Sequence, residues 1–203
     1  EVRIDQPADH ESLNVVIPWS STTFQYTSKH QARPARGTFS LGDVTRRIGD
    51  GDGGDDGDGA GGEAWGVLDV GRGRWPYRTR WNWGGGAGRA TDGETVVGIQ
   101  IGGKWTEGTG HTENGMIVDG RLHKIGQELT WTYSWDDPLA PWRVSLPDGT
   151  VDLTLTPRHD KHSATNALVL ATEVHQVFGT WSGHVTTDDG RRVEVDGIQG
   201  FAE

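Results

Sequence analysis

The chain has 203 residues and a net charge of −10, with no cysteine, 32 glycines, ten tryptophans and only 33% apolar residues. An acidic chain without a clustered basic face is a poor partner for nucleic acid or anionic lipid, and the lack of cysteine excludes disulfides, thiolate metal sites and a cysteine nucleophile. No apolar run approaches the roughly 18–20 residues of a membrane helix, and no window has the period of an amphipathic helix.

Val2–Asp5 and Leu13–Ile17 read as strands around the polar turn Gln6–Glu11. Phe24 and Tyr26 alternate with polar residues, the pattern of a half-buried strand with its apolar side inward. Arg36–Leu41 is the next expected strand. DGDGGDDGDGAGG, residues 50–62, carries half of the net charge. Asp and Gly without apolar residues cannot offset backbone entropy by burial, so a flexible loop is expected. No frame in it supplies the ligand set of an EF-hand or the apolar position of a β-helix calcium repeat, so calcium is not expected either.

Residues 65–88, WGVLDVGRGRWPYRTRWNWGGGAG, hold four tryptophans, four arginines and a lone carboxylate, Asp69. In a strand over Trp65–Val70, Asp69 shares a face with Trp65 and Val67. Past a break at Gly71-Arg72-Gly73, period two places Tyr77, Thr79, Trp81 and Trp83 on one face and Arg78, Arg80 and Asn82 on the other. An aromatic wall backed by guanidinium groups suits a π-rich ligand with a polar end, and equally a β core with a charged exterior.

Val97, Ile99 and Ile101 mark the following strand, and the polar stretch after it contains Lys104-Trp105, His111 and Glu113-Asn114. Met116–Val118, Asp119-Gly120 and Arg121–Ile125 read as a hairpin, because Asp-Gly fits a type I′ turn. Trp131, Tyr133 and Trp135 alternate as in a strand. Trp142–Leu146 and Val151–Thr156 form another hairpin, followed by strands over Ala167–Glu173, His175–Val185 and Arg192–Ile198. Hairpins with short turns and no helical crossovers give an antiparallel all-β meander, closed as a barrel or folded into a strongly curved β-sandwich so that its edges are hidden. One all-β domain over residues 1–203 is expected.

Dinucleotide and phosphate loops fail on glycine spacing, and Gly179-Thr180-Trp181-Ser182-Gly183 places its serine one residue late for a nucleophile elbow. His159 and His162 have a possible ligand spacing, but on a turn without a nearby third ligand they do not make a metal site. No metal and no cofactor are expected. Three items survive. Asp69 on an aromatic face is either a general acid or cation stabiliser, or the structural partner of Arg72, Arg74 or Arg78. Glu113-Asn114, beside Trp105, either presents polar groups to a ligand at a barrel mouth or serves a turn. His175-Gln176 precedes Val177 and Trp181 on a shared parity, as a ligand group or as a satisfied core histidine.

The motifs WGVLDVGRGRWPYRTRWNWGGGAG, GKWTEGTGHTENGMIVDGRLHKIG, PWRVSLPDGTVDLTLTP, HQVFGTWSGHV and GFAE resemble the bacterial domain of unknown function 2804 family over nearly all of the chain outside the Asp/Gly run. The resemblance is to the C-terminal portion of longer members, which implies an N-terminal remainder packed on this part. More distantly, the family is similar to the calycin-like carotenoid hydratases and decalin-forming Diels–Alderases. That likeness implies lipocalin-like barrels and an apolar polyene, isoprenoid or acyl ligand. Asp69, Arg72, Arg74, Trp75, Tyr77, Trp81, Asn82, Trp83, Glu113, Asn114, His175 and Gln176 match the family pattern. Asp69 and Glu113 are the candidate catalytic residues. The others, with Arg78 and Trp105, are candidate ligand contacts.

Three functions fit this reading. The first is an enzyme that hydrates or cyclises an unsaturated substrate, with a carboxylate as acid and indole rings shielding the cation. The second is a carrier of the same ligand without chemistry. The third is a carbohydrate-binding module with a tryptophan platform. No signal peptide is visible and Glu-Val-Arg-Ile reads as a cut end, so the cellular address stays open, with the cytoplasm favoured.

Overall fold

The computed structural model describes residues 1–49 and 62–203, and the Asp/Gly run with its calcium question lies, apart from Gly62, outside the described residues. Strands β1 (Val2–Ile4), β2 (Leu13–Pro18), β3 (Phe24–Leu41), β4 (Val44–Ile48) and β5 (Ala64–Arg74) form one sheet organised around β3, which pairs with all the others. The second sheet comprises β6 (Asn82–Arg89), β7 (Val96–Gly103), β8 (Asn114–Val118), β9 (Arg121–Ile125), β10 (Thr130–Thr132), β11 (Trp142–Ser145), β12 (Val151–Ala167), β13 (Leu170–Thr186) and β14 (Arg192–Ala202). Its order is β10-β11-β12-β13-β14-β6-β7-β8-β9. Adjacent strands run antiparallel throughout, and no helix occurs among the described residues, so none is long and apolar enough to cross a membrane.

The nine-stranded sheet curls into a half-barrel. Its curvature follows from its core: Ile99 (β7), Met116 (β8), Val144 (β11), Leu153 and Leu155 (β12), Trp181 (β13) and Ile198 (β14) belong to one buried cluster. Strands far apart in the sheet order can share a core only if the sheet bends round it. The β6 glycines make this bend tight. A Cβ on Gly86 would lie 2.8 Å from Trp181 Cδ1 and 2.9 Å from the Gln199 carbonyl oxygen. Trp181 is fully buried there, and its indole N–H donates to the Gly85 carbonyl at 3.1 Å.

Several expected elements change extent. The strand expected at Arg36–Leu41 is the end of the 18-residue β3; of the strand expected at Ala167–Glu173, Ala167 ends β12, Leu168-Val169 is the hairpin turn and the rest runs on through His175–Val185 as the single β13. β5 runs through Gly71-Arg72-Gly73 without a break and ends at Arg74. The chain from Trp75 to Trp81 is then a loop, so Tyr77, Thr79 and Trp81 do not share a strand face with Trp83. β10 stops at Thr132, which leaves Tyr133 and Trp135 in the following loop. The Asp119-Gly120 turn has positive φ at both residues, 48° and 84°, as its type I′ reading requires.

The largest departure is in β3. Its alternation puts Phe24, 43% exposed, on the outer side and turns Gln25, Thr27, Lys29 and Gln31 inward, all four buried against the half-barrel. Polar side chains take the inward positions because the facing strands present hydrogen-bonding groups to them. Gln31 donates to Gln100 Oε1 at 3.1 Å, and Trp83 Nε1 donates to the same oxygen at 3.0 Å.

Candidate functional site

Two strands and the residue that precedes a third bring three charges together between the sheets. Lys29 (β3) stands opposite Asp69 (β5) in register, and its Nζ donates to Asp69 Oδ2 at 2.9 Å. The same Nζ lies 3.3 Å from Glu113 Oε2 and 4.0 Å from the centroid of the Trp83 ring. Thr27 Oγ1 donates to the other Asp69 oxygen at 2.8 Å. Asp69 is therefore the partner of Lys29 rather than of Arg72, Arg74 or Arg78, because Arg72 and Arg74 fall on the opposite parity of β5 and are exposed.

Glu113, immediately before β8, is 1% exposed. Its Oε1 accepts from the Trp105 indole N–H, and Gly102 makes the space: a Cβ there would sit 2.1 Å from Oε1. Burial away from water pushes the Glu113 carboxyl above its usual value, while the neighbouring Lys29 ammonium pulls it down. Oε2 has the Lys29 ion-pair contact but no well-aimed hydrogen bond.

A cleft of about 410 Å³ opens over this cluster, walled by Trp75, Trp81, Trp83 and Trp105 and floored by Gln25, Lys29, Asp69 and Glu113. Besides Glu113 Oε2, the buried Gln25 Oε1 and Thr79 Oγ1 at its lining also lack hydrogen-bond partners. Trp19, Trp75 and Trp105 form a three-ring cluster with centroid separations of 5.0, 5.8 and 5.7 Å. Glu203 accepts from Trp81 Nε1 at 2.9 Å and from Gln176 Nε2 at 3.0 Å, and fixes the far wall. A second cleft, of about 470 Å³, lies at the mouth of the half-barrel and shares Thr79, Trp81 and Glu203 with the first. Asn82 and His175 line this second cleft.

Of the residues singled out in the sequence, Asp69, Trp75, Trp81, Trp83, Trp105 and Glu113 converge on the first cleft. Asn114 does not: its Oδ1 accepts from Gly102 N–H at 2.7 Å and its Nδ2 donates to the Gln127 carbonyl at 3.0 Å, so it fixes the scaffold. Gln176 acts through Glu203. Tyr77 is 85% exposed and donates to the Val169 carbonyl, and Arg78 is exposed on the same loop. His175 sits at the edge of the half-barrel core, bonded to Asp160 at 2.8 Å. Sequence reasoning missed Lys29, Gln25 and Glu203. The period-two polar run Gln25, Thr27, Lys29, Gln31 was the available signal for the first two, and no local pattern marked Glu203.

Residues 1–203 match the family model described as domain of unknown function (DUF2804), and the chain belongs to that family. No curated protein and no solved structure matches it.

Proposed function

We propose that this chain of the DUF2804 family binds an unsaturated, largely apolar small molecule in the inter-sheet cleft, with Glu113 as the group able to hand it a proton. The supporting observation is the cleft itself: two buried polar atoms without hydrogen-bond partners, Gln25 Oε1 and Thr79 Oγ1, and a buried Glu113 Oε2 whose contact is the Lys29 ammonium rather than a well-aimed hydrogen bond, beside four indole rings. Buried polar groups are ordinarily satisfied, and unmet ones in a cleft are met by a ligand or by ordered water. A volume near 410 Å³ falls within the usual range for small-molecule sites, about 300–1,000 Å³.

The charges narrow the ligand. One ammonium, Lys29, faces the carboxylates of Asp69 and Glu203 beside the proton-bearing Glu113, so the polar end of the cleft repels an acid and favours a hydroxyl or amine donor. Isoprenoid or polyene alcohols therefore fit better than free fatty acids. For chemistry, the Glu113 proton adds to one alkene carbon and leaves a cation on the other, beneath the indole faces. Water or a second alkene of the same molecule then bonds to that cation, and a proton returns to the carboxylate. Asp69, held by Lys29 and Thr27, remains the fixed counter-charge. A carrier uses the same cleft without this step. The sugar-platform reading has less support: Trp83 lies under Lys29 and edge-on against Phe201, so it offers no open flat face.

The test uses all-trans-retinol and all-trans-retinoic acid as a matched pair, followed by quenching of tryptophan fluorescence. Retinol should bind saturably, one per chain, at least about tenfold tighter than the acid, a difference of about 1.4 kcal/mol. Retinol binding should fall with Trp83→Ala. Absence of saturable retinol binding sinks the reading, and equal affinities remove the polar-end argument. Mass analysis of retinol recovered after incubation separates enzyme from carrier. A hydrated or rearranged product that vanishes in Glu113→Gln assigns the acid, and unchanged retinol leaves a carrier.

A further inference from the structure

A second constellation lies on the β12–β13 ribbon, outside the inter-sheet cleft. His162 (β12) and His175 (β13) are direct partners in the antiparallel register, so their side chains emerge side by side on one face. Asp160 and Glu173 stand two residues from them along their respective strands, on that same face. The two imidazoles stack with centroids 4.3 Å apart and planes 10° from parallel. Glu173 Oε1 is 3.0 Å from His162 Nε2, and Asp160 Oδ2 is 2.8 Å from His175 Nδ1. One ligand atom from each of His162, Glu173 and His175 lies within 4.8 Å of the others. Two of the three, Glu173 and His175, line the 470 Å³ cleft at the half-barrel mouth.

We propose that His162, Glu173 and His175 form a binding site for a divalent transition metal, zinc being the best match to this donor set, with Asp160 as a positioning residue. Two imidazoles and one carboxylate are the donor set of an open zinc site, which leaves a fourth position for water or a ligand oxygen. Tetrahedral bonds of about 2.1 Å bring ligand atoms to about 3.4 Å from one another. The half-exposed His162 and Glu173 have the freedom to close that gap by side-chain rotation. His175 is already oriented: its Nδ1 is held by a carboxylate, which turns Nε2 toward the metal, the standard outer-shell arrangement of ligating histidines. Asp160 is itself mostly buried and its other oxygen is buried without a hydrogen bond among the described residues, so the bond to His175 is what holds its side chain there. Trp135 packs edge-on against His175, centroids 4.7 Å apart, and limits the swing of the ring.

The experiment is titration of the chelator-treated, dialysed protein with Zn²⁺ alone by calorimetry, and with Co²⁺ followed by its visible absorption. One Zn²⁺ per chain is expected, with a tetrahedral-type Co²⁺ spectrum. His162→Ala and His175→Ala should each weaken Zn²⁺ binding by more than about tenfold, and Asp160→Asn by about 10–100-fold with the Co²⁺ bands shifted but present. His162 is half-exposed, so His162→Ala carries the test if His175→Ala fails to fold. Absence of stoichiometric binding overturns the site, as does wild-type affinity in His162→Ala. These outcomes do not bear on retinol binding in the inter-sheet cleft, which reads a different set of residues.

Discussion

The two faces of β6 and β7 do opposite things with the same backbone. Toward the half-barrel, Gly84 and Gly86 face Trp181, which shares one buried cluster with Val97, Ile99 and Ile101, and the space is filled until an added methyl collides with the indole ring. Toward the smaller sheet, Trp83, Gln100 and Gly102 meet Gln31, Lys29 and Glu113, and the groups there leave acceptors unmet and a cleft open. An apolar interior is complete when its volume is filled. A polar interior is complete only when every donor and acceptor has a partner, so it can hold unmet capacity for binding at a cost in stability.

The contrast can be broken first at Trp181. Trp181→Ala empties the filled face and should destabilise the fold by about 3–5 kcal/mol. The loss should be the same near pH 5 and near pH 8, since the ring is buried in an apolar cluster and its N–H is bonded to a backbone carbonyl; urea unfolding at the two values checks both statements. A pH-dependent loss would show that the charged network reaches into the half-barrel.

Lys29→Met strikes the other face and should cost about 3 kcal/mol near pH 8, because it leaves Glu113 as a buried carboxylate without its cation. Here pH matters, with a definite sign. The fold holds the Glu113 proton more tightly than the unfolded chain does, so this contribution is fully present below the usual 4.5 and is lost as pH rises through the raised value in the fold. Removing Lys29 raises that value further, so the Lys29→Met deficit should shrink on acidification toward pH 5.

A pair of glycine substitutions sharpens the comparison. Gly86→Ala and Gly102→Ala each introduce a methyl into occupied space and should each cost about 1–3 kcal/mol. Only Gly102→Ala displaces the Glu113 carboxylate, so only it should weaken retinol binding; thermal unfolding and fluorescence titration separate the two effects. The smallest change is expected from Glu113→Gln. It keeps an acceptor for the Trp105 indole and removes the charge, so stability should move by no more than about 1 kcal/mol and its variation between pH 5 and pH 8 should flatten.

Most strands were legible because strict alternation and turn residues act locally. Val97, Ile99 and Ile101 announce β7, and Asp119-Gly120 announces its hairpin. β3 was read with the wrong side inward. Alternation reports which residues share a face but not which face is buried, and the assumption that rings go in fails where the facing sheet supplies polar partners. The aromatic members of the site are visible as a tryptophan-dense stretch, whereas Lys29 is one polar residue in an alternating run and carries no motif. His159 and His162, expected on a turn, both lie in β12, and the companions of His162 are instead Glu173 and His175, which lie across a hairpin and meet it only through strand register.

By itself the sequence determined an antiparallel all-β chain, the position of most of its turns and the family to which it belongs, because period-two patterning and turn chemistry are set by neighbours along the chain. Tertiary structure alone decided that β3 turns its polar side inward, that Lys29 sits between Asp69 and Glu113, and that two histidines and a glutamate share one face of a ribbon. Charges separated by about 40 residues or more in sequence come within hydrogen-bonding distance only when register and sheet packing are fixed together, and no local pattern encodes both.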